Sequence, residues 1–206
     1  MYKIYRNIYK LLASRKCTIL NPILEERDFF KTIDANGVII IDAKRQNDEL
    51  VKVALFKDDS RYLGSLQDFR KFIKVIQKPI PESIIIFRPP ITDGPSKYKN
   101  NAWTGSYLKH FDENIYVEAF DYRKIIANFP EHVFWVEQEI ASKVKIEEFL
   151  ELTKKDITSL ESIYVDDTAV VWLGARPGDV IRVLRPSEAS GMAIAYRLVK
   201  ASKAFV

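Results

Sequence analysis

Apolar residues recur at helical spacing over the first sixteen positions. Ile4, Ile8, Leu11 and Leu12 fall on one face, and Lys3, Arg6, Lys10, Arg15 and Lys16 supply the charge, with no acid before Glu25. This stripe predicts an amphipathic helix over 3–16. Tyr2, Tyr5 and Tyr9 add aromatic packing surface. A basic, amphipathic start also fits a mitochondrial presequence, but a domain's first helix with a solvated basic face is the simpler reading. Asn21-Pro22 supplies an N-cap and a first-turn proline, so a second helix is expected from there to Asn36-Gly37. Val38–Ile41 is a β-branched run that reads as a buried strand, and Leu50–Phe56 alternates enough to read as a second strand after a polar turn at 43–49. Ser65 is placed to cap a helix that carries Leu66, Phe69, Phe72, Ile73 and Ile76 on one face. Pro79 and Pro81 end it. Ser83–Phe87 is a third strand.

Residues 89–101 are rich in turn formers, with Pro89, Pro90, Gly94 and Pro95 followed by Lys97, Tyr98 and Lys99. Trp103–His110 reads as helix and Ile115–Phe120 as strand. Phe129-Pro130 marks a domain boundary. Past it the pattern predicts a short strand at Val133–Val136, an acidic helix at Val144–Leu152, and a short helix capped by Asp166 or Asp167 and running to Leu173. Gly174 and Gly178 bracket a turn. Strands at Asp179–Leu184 and Ala193–Lys200 are joined by 186–191. The fold class is therefore mixed α/β, or α+β, in two domains. Residues 1–128 form a small mixed sheet flanked by helices, and 129–206 a second small mixed sheet with short helices.

Composition narrows the function classes. Of 206 residues, 47% are hydrophobic and 29% charged, which is ordinary for a globular chain. The single cysteine, Cys17, leaves no internal disulfide. The chain lacks an Asn-x-Ser/Thr sequon, so the expectation is a soluble intracellular protein. Apolar runs such as Val38–Ile41 and Ala169–Leu173 fall far short of the ~20 residues that span a bilayer. The net charge of +4 is uneven: residues 1–128 carry +6, residues 129–167 carry −6 and residues 168–206 carry +4. The basic first part permits contact with a polyanion without requiring it.

Few residues are arranged for catalysis. No phosphate-binding glycine loop occurs. Gly174-Ala175-Arg176-Pro177-Gly178 is followed by no Lys-Ser/Thr, and its proline removes an N–H, so it reads as a structural turn. His110 and His132 lack paired ligand spacing, and His132 with Ser187 lacks a nucleophile elbow. No metal or cofactor is expected. One enzymatic pattern remains. Asp42-Ala43-Lys44 follows the 38–41 run, with Asp34 or Asp28 upstream. That is a minimal Mg2+-dependent nuclease signature, in which carboxylates hold a hard cation and the lysine orients water. Phe29, Phe30, Phe69 and Phe72 read as core. Tyr98, Trp103 and Tyr107, near the basic loop, are the better candidates for exposed contact.

The last forty residues are distinctive. Asp167-Thr168-Ala169-Val170 is followed by Leu173-Gly174-Ala175-Arg176-Pro177-Gly178-Asp179-Val180-Ile181-Arg182-Val183. Then come Arg185-Pro186-Ser187-Glu188-Ala189-Ser190-Gly191 and Tyr196-Arg197-Leu198-Val199. Together with Pro130-Glu131-His132-Val133, this block over 130–200 resembles the C-terminal assembly domain of the fifth subunit of eukaryotic nuclear RNA polymerases, a family with an archaeal counterpart. Residues 1–128 resemble the family's N-terminal jaw domain in length and element order. Gly94-Pro95-Ser96-Lys97 falls where the family has a Thr-Pro-Ser-Ala loop. Asp167-Thr168 replaces the family's Asp-Pro, and Val171-Trp172 its Arg-Tyr. A tail, 201–206, extends past the usual end. Such divergence resembles a homologue from a large cytoplasmic DNA virus.

The resemblance implies a non-catalytic subunit of a multisubunit DNA-directed RNA polymerase. Its C-terminal domain would dock on the largest subunit through Arg176, Arg182, Arg185, Ser187, Glu188, Gly191, Tyr196 and Arg197. Val180, Val183 and Leu184 would supply apolar area. Its first domain would form part of a jaw on downstream double-stranded DNA, touching phosphates through Pro95, Ser96, Lys97 and Lys99. The expected partners are other polymerase subunits and DNA, with no membrane and no small-molecule substrate. The setting would be virion and host cytoplasm for a viral chain, or the nucleus for a cellular one. Two readings compete: a standalone nuclease using Asp42 and Lys44, and an adaptor that binds proteins only.

Overall fold

The apolar stripe of the first helix is what the N-terminal unit is built on. In the computed structural model, which describes residues 1–57, 66–89, 111–133, 135–187 and 191–201, helix α1 spans Tyr2–Ser14 and buries Ile4, Tyr5, Asn7, Ile8, Leu11 and Leu12. The Asn7 side chain donates to the Ile125 carbonyl at 2.8 Å, which satisfies a buried amide and ties the helix to the far end of its unit. The chain divides into two compact units, Met1–Ala127 and Asn128–Val206.

The first unit holds a five-stranded sheet in the order β1-β2-β3-β4-β5. Its strands are β1 (Thr18–Ile19), β2 (Val38–Lys44), β3 (Leu50–Phe56), β4 (Ser83–Arg88) and β5 (Tyr116–Asp121). β2 and β3 form an antiparallel hairpin, and β3, β4 and β5 run parallel. Parallel neighbours need a crossover. Helix α3 (Leu66–Ile76) supplies the one between β3 and β4. Phe72 meets Phe56 edge-on at 4.8 Å, and so fastens that helix to the sheet. The interior of β3 and β4 is buried almost throughout. That explains why apolar residues occupy both faces of each strand, with Lys52 as the charged exception in β3, because strands covered on both faces do not alternate.

Two expectations need correcting here. Helix α2 begins at Glu26 rather than at Pro22, and runs to Asn36. The tyrosines of α1 take up the backbone groups that a longer helix would have used. Leu24 N–H donates to the Tyr5 hydroxyl at 3.0 Å, Tyr9 donates to the Pro22 carbonyl at 3.2 Å, and Tyr2 to the Leu24 carbonyl at 3.0 Å. Asn21 is no N-cap, since its side-chain oxygen accepts the Asp42 N–H across the sheet edge. Phe29 is core, but Phe30 is 41% exposed. Ser65, the 89–101 loop beyond Pro89 and the Trp103–His110 segment lie outside the described residues. At the other end of α2, Gly37 adopts φ 72° and closes the helix, as the Asn-Gly signal predicts.

The second unit holds a four-stranded sheet in the order β6-β8-β9-β7. Its strands are β6 (Glu137–Ile140), β7 (Glu161–Tyr164), β8 (Val180–Ser187) and β9 (Gly191–Lys200). β6 and β9 are antiparallel to β8, and β7 is parallel to β9. Helix α4 (Lys143–Thr153) is capped by Ser142, and helix α5 (Thr168–Leu173) by Asp167, whose carboxylate accepts the Ala169 N–H at 2.8 Å. Ile163, Val170, Ala175, Ile181, Val183 and Val199 form the core on the α5 side. Val180, Tyr196, Ala141 and Leu160 pack with Ile146 and Phe149 on the α4 side.

The strand expected at 133–136 instead lies at 137–140. A 3-10 turn at Phe129–Glu131 and a Trp135 N–H bond to the His132 carbonyl occupy the chain just before it. Register is then set by pairing Ile140 with Ile181. β7 has little sequence signal, because only Ile163 of its four residues is buried. Gly174 and Gly178 adopt φ 70° and 98°, and Gly178 N–H donates to the Val199 carbonyl at 2.9 Å. Gly174–Gly178 thus works as a turn. Among the described residues, no helix is long and apolar enough to cross a membrane.

Candidate docking surface

The β8–β9 hairpin reaches past both of its neighbours. β6 pairs with β8 only as far as Leu184, and β7 begins on β9 at Arg197. Beyond Leu184, among the described residues, Arg185–Ser187 pair in the ladder only with Gly191–Ala193, and Ile194–Tyr196 pair with β8 alone. The result is a two-stranded ribbon with two open edges. Such ribbons are marginal alone and offer main-chain groups for pairing. Pro186 carries no N–H, which blunts one edge.

The two faces of the ribbon differ. Cross-strand partners share a face, so Leu184, Ile194, Pro186 and Met192 line one side. Met192 is 50% and Ile194 48% exposed, and Pro186 is exposed beside them. This apolar strip continues the α4 side of the sheet. On the other side stand exposed Arg185 and half-buried Ala193 and Ser187. A planar guanidinium next to apolar area suits contact with a partner carboxylate.

The base of the ribbon is fixed by packing and charge. Tyr196 is buried and stacks on Phe149 of α4, with ring centroids 4.2 Å apart. Arg182 lies 3.4 Å from Glu139, and Lys145 donates to the same carboxylate at 2.6 Å. The Lys145 hydrogen bond, with the Lys145 and Arg182 charges, holds the Glu139 carboxyl below the usual range. Arg197 meets Glu161 at 3.3 Å, across the β9–β7 pair.

The structure sorts the residues singled out in the sequence. Arg185 is exposed on the ribbon, Ser187 pairs with Gly191 at its far end, and Gly191 adopts φ 72°. Tyr196, Arg182 and Arg197 lie at its base. Arg176 sits apart, in the turn before β8, where its N–H donates to the Asp179 carboxylate at 2.6 Å. Val180 and Val183 were expected to supply docking area, but they are buried in the unit's own core. The apolar strip is formed instead by Leu184, Pro186, Met192 and Ile194. Alternation at 184/186 and 192/194 was the available signal. Glu188, Pro95, Ser96, Lys97 and Lys99 lie outside the described residues, as do His110, Tyr98, Trp103 and Tyr107.

The nuclease carboxylates are not brought together. Asp42 stands opposite Lys52, whose buried ammonium lies 3.8 Å from it and donates to the Lys78 carbonyl at 2.7 Å. Asp34 pairs with Lys57 at 3.1 Å, near the opposite end of β2. Lys44 lies 3.6 Å from Asp48. Among the described residues, no three His, Cys, Asp or Glu side chains converge as a metal site.

Comparison with known proteins bears on the same region. Residues 127–199 match the family model described as RNA polymerase Rpb5, C-terminal domain. The chain is 42% identical over 69 residues to the DNA-directed RNA polymerase subunit Rpo5 of Methanocaldococcus jannaschii, covering 34% of this chain and 88% of that protein. The chain belongs to the Rpb5/Rpo5 family of RNA polymerase subunits. It is also 43% identical over 72 residues to Rpo5 of Thermococcus kodakarensis, covering 88% of that protein. Similarity over the whole length is found in viral relatives. The chain is 26% identical over 206 residues to the DNA-directed RNA polymerase RPB5 homolog of African swine fever virus, covering 98% of each. The protein is thus a component of transcription, with other polymerase subunits as its partners. Its ribbon and both short helices lie inside the matched span, as does the sheet up to Val199.

Proposed function

We propose that this chain is a virus-encoded, non-catalytic subunit of a DNA-directed RNA polymerase. Its C-terminal unit anchors it to the largest subunit, and its basic N-terminal unit forms part of a jaw around downstream duplex DNA. One observation carries the anchor. The β8–β9 ribbon projects from a braced sheet with Pro186, Met192, Ile194 and Arg185 exposed, within the span that matches the Rpb5 C-terminal domain. An exposed apolar strip flanked by an arginine fits the centre of a protein interface. Full-length similarity to a viral RPB5 homolog supports a viral origin, with virion and host cytoplasm as its setting. The jaw reading rests on the positive charge of the first 128 residues. Its contacts would be to phosphates, and so independent of sequence and sensitive to salt.

The test is co-purification. Arg185→Glu with Ile194→Glu changes two exposed side chains and leaves the Phe149–Tyr196 base intact. A tagged double variant is expected to fold and to lose the largest subunit. Recovery of the largest subunit at the wild-type level would refute the anchor.

A further inference from the structure

The outer face of α1 carries a basic ridge that the proposed anchor ribbon does not include. Lys3, Arg6 and Lys10 are exposed and stand at i, i+3 and i+7, so they follow one side of the helix, while Ile4, Ile8 and Leu11 are buried on the other. At 1.5 Å per residue the three charges span about 10 Å. Exposed Arg27 and Lys31 lie on α2, on either side of half-exposed Phe30 in sequence. A cleft of about 480 Å³ is lined by Lys3, Arg6, Lys10 and Phe30, with Glu26 as its one carboxylate. Among the described residues, Lys3 and Arg6 have no ion-pair partner. Lys3 and Arg6 are like charges at i, i+3 on a helix and repel one another. A polyanion laid along them relieves that repulsion.

We infer that Lys3, Arg6 and Lys10 grip the sugar-phosphate backbone of duplex DNA. This rests on the jaw reading above and adds to it the surface that makes the contact. Phosphates follow one strand at about 3.4 Å of axial rise, so a ridge of about 10 Å covers roughly three steps. Long, flexible cations on a rigid helix hold phosphates without reading bases. Binding is therefore independent of sequence.

The experiment uses polymerase purified through a tag on its largest subunit, bound to a template with labelled downstream duplex. A photo-crosslinking phenylalanine analogue replaces Arg6 in one preparation and Lys97 in another. The expected result is a DNA crosslink from position 6. A DNA crosslink from position 97 with none from position 6, or a crosslink from position 6 to protein only, overturns the ridge and leaves the jaw reading standing. No DNA crosslink from either position removes both. In a salt titration, Lys3→Gln/Arg6→Gln/Lys10→Gln is expected to hold downstream DNA about tenfold or more weakly near 0.1 M salt, with a log–log slope shallower by about 2–3. Lys3→Arg/Lys10→Arg is expected to match the wild type. An unchanged slope in the glutamine variant would also overturn the ridge.

Discussion

Arg15 donates to Glu118 at 2.6 Å, and the two side chains are only 3% and 4% exposed. The pair joins the residue just after α1 to β5, 103 positions later in the chain. Removing one member of a buried pair strands the other's charge. Glu118→Ala is therefore expected to destabilise the N-terminal unit by about 3–5 kcal/mol. Urea unfolding measures this. Arg15→Met with Glu118→Leu should recover most of the loss. A small effect of the single variant would show that the pair adds little to this unit.

Phe149 braces the β8–β9 ribbon from α4 through its ring contact with Tyr196. Phe149→Ala is expected to cost the second unit about 2–3 kcal/mol. Hydrogen exchange of the β8 and β9 amides should quicken, while that of β2–β4 stays unchanged. Equal protection of β8 and β9 in both proteins would separate the ribbon from this stack.

Glu139 is expected to make the stability of the second unit depend on acid. Lys145, first by hydrogen bond, and Arg182 hold its carboxyl below the ordinary range in the folded state. A depressed folded value contributes stability at neutral pH, and that contribution is lost as pH falls through the folded value. Glu139→Gln should therefore flatten the acid side of the stability profile, below the ordinary carboxylate range, and leave the slope above pH 7 alone. Both profiles come from denaturant melts at stepped pH. An unchanged acid limb would remove Glu139 from the account.

Asp42 predicts a structural effect, not a catalytic one. It faces the buried Lys52 ammonium, so Asp42→Ala is expected to lower the melting temperature. Wild-type protein incubated with plasmid and Mg2+ is expected to leave the plasmid intact. Nicking that disappears in Asp42→Ala would revive the nuclease reading.

Much of this architecture was legible in the residues. Apolar runs at Val38–Ile41 and Ser83–Phe87 marked β2 and β4, because strands covered on both faces need no alternation, while partial alternation marked β3 at Leu50–Phe56. Asp167 and Gly174 bounded α5 as cap chemistry predicts. Tertiary hydrogen bonds set what stayed hidden. The start of α2 depends on tyrosine hydroxyls from α1, which no local signal at Asn21-Pro22 reveals. β7 depends on a parallel partner 36 residues away. Arg182, Arg185 and Arg197 look alike in sequence, yet two brace the sheet and one stands on the ribbon. Only the register of β8 against β6 and β9 separates them.

The most direct test of the account is to purify the tagged wild-type chain from its native setting under mild salt, then size the product and identify its companions by mass spectrometry. The account predicts a large complex that contains the polymerase's largest subunit in equal amount and synthesises RNA. A chain that elutes alone, with no polymerase subunit attached, would contradict it.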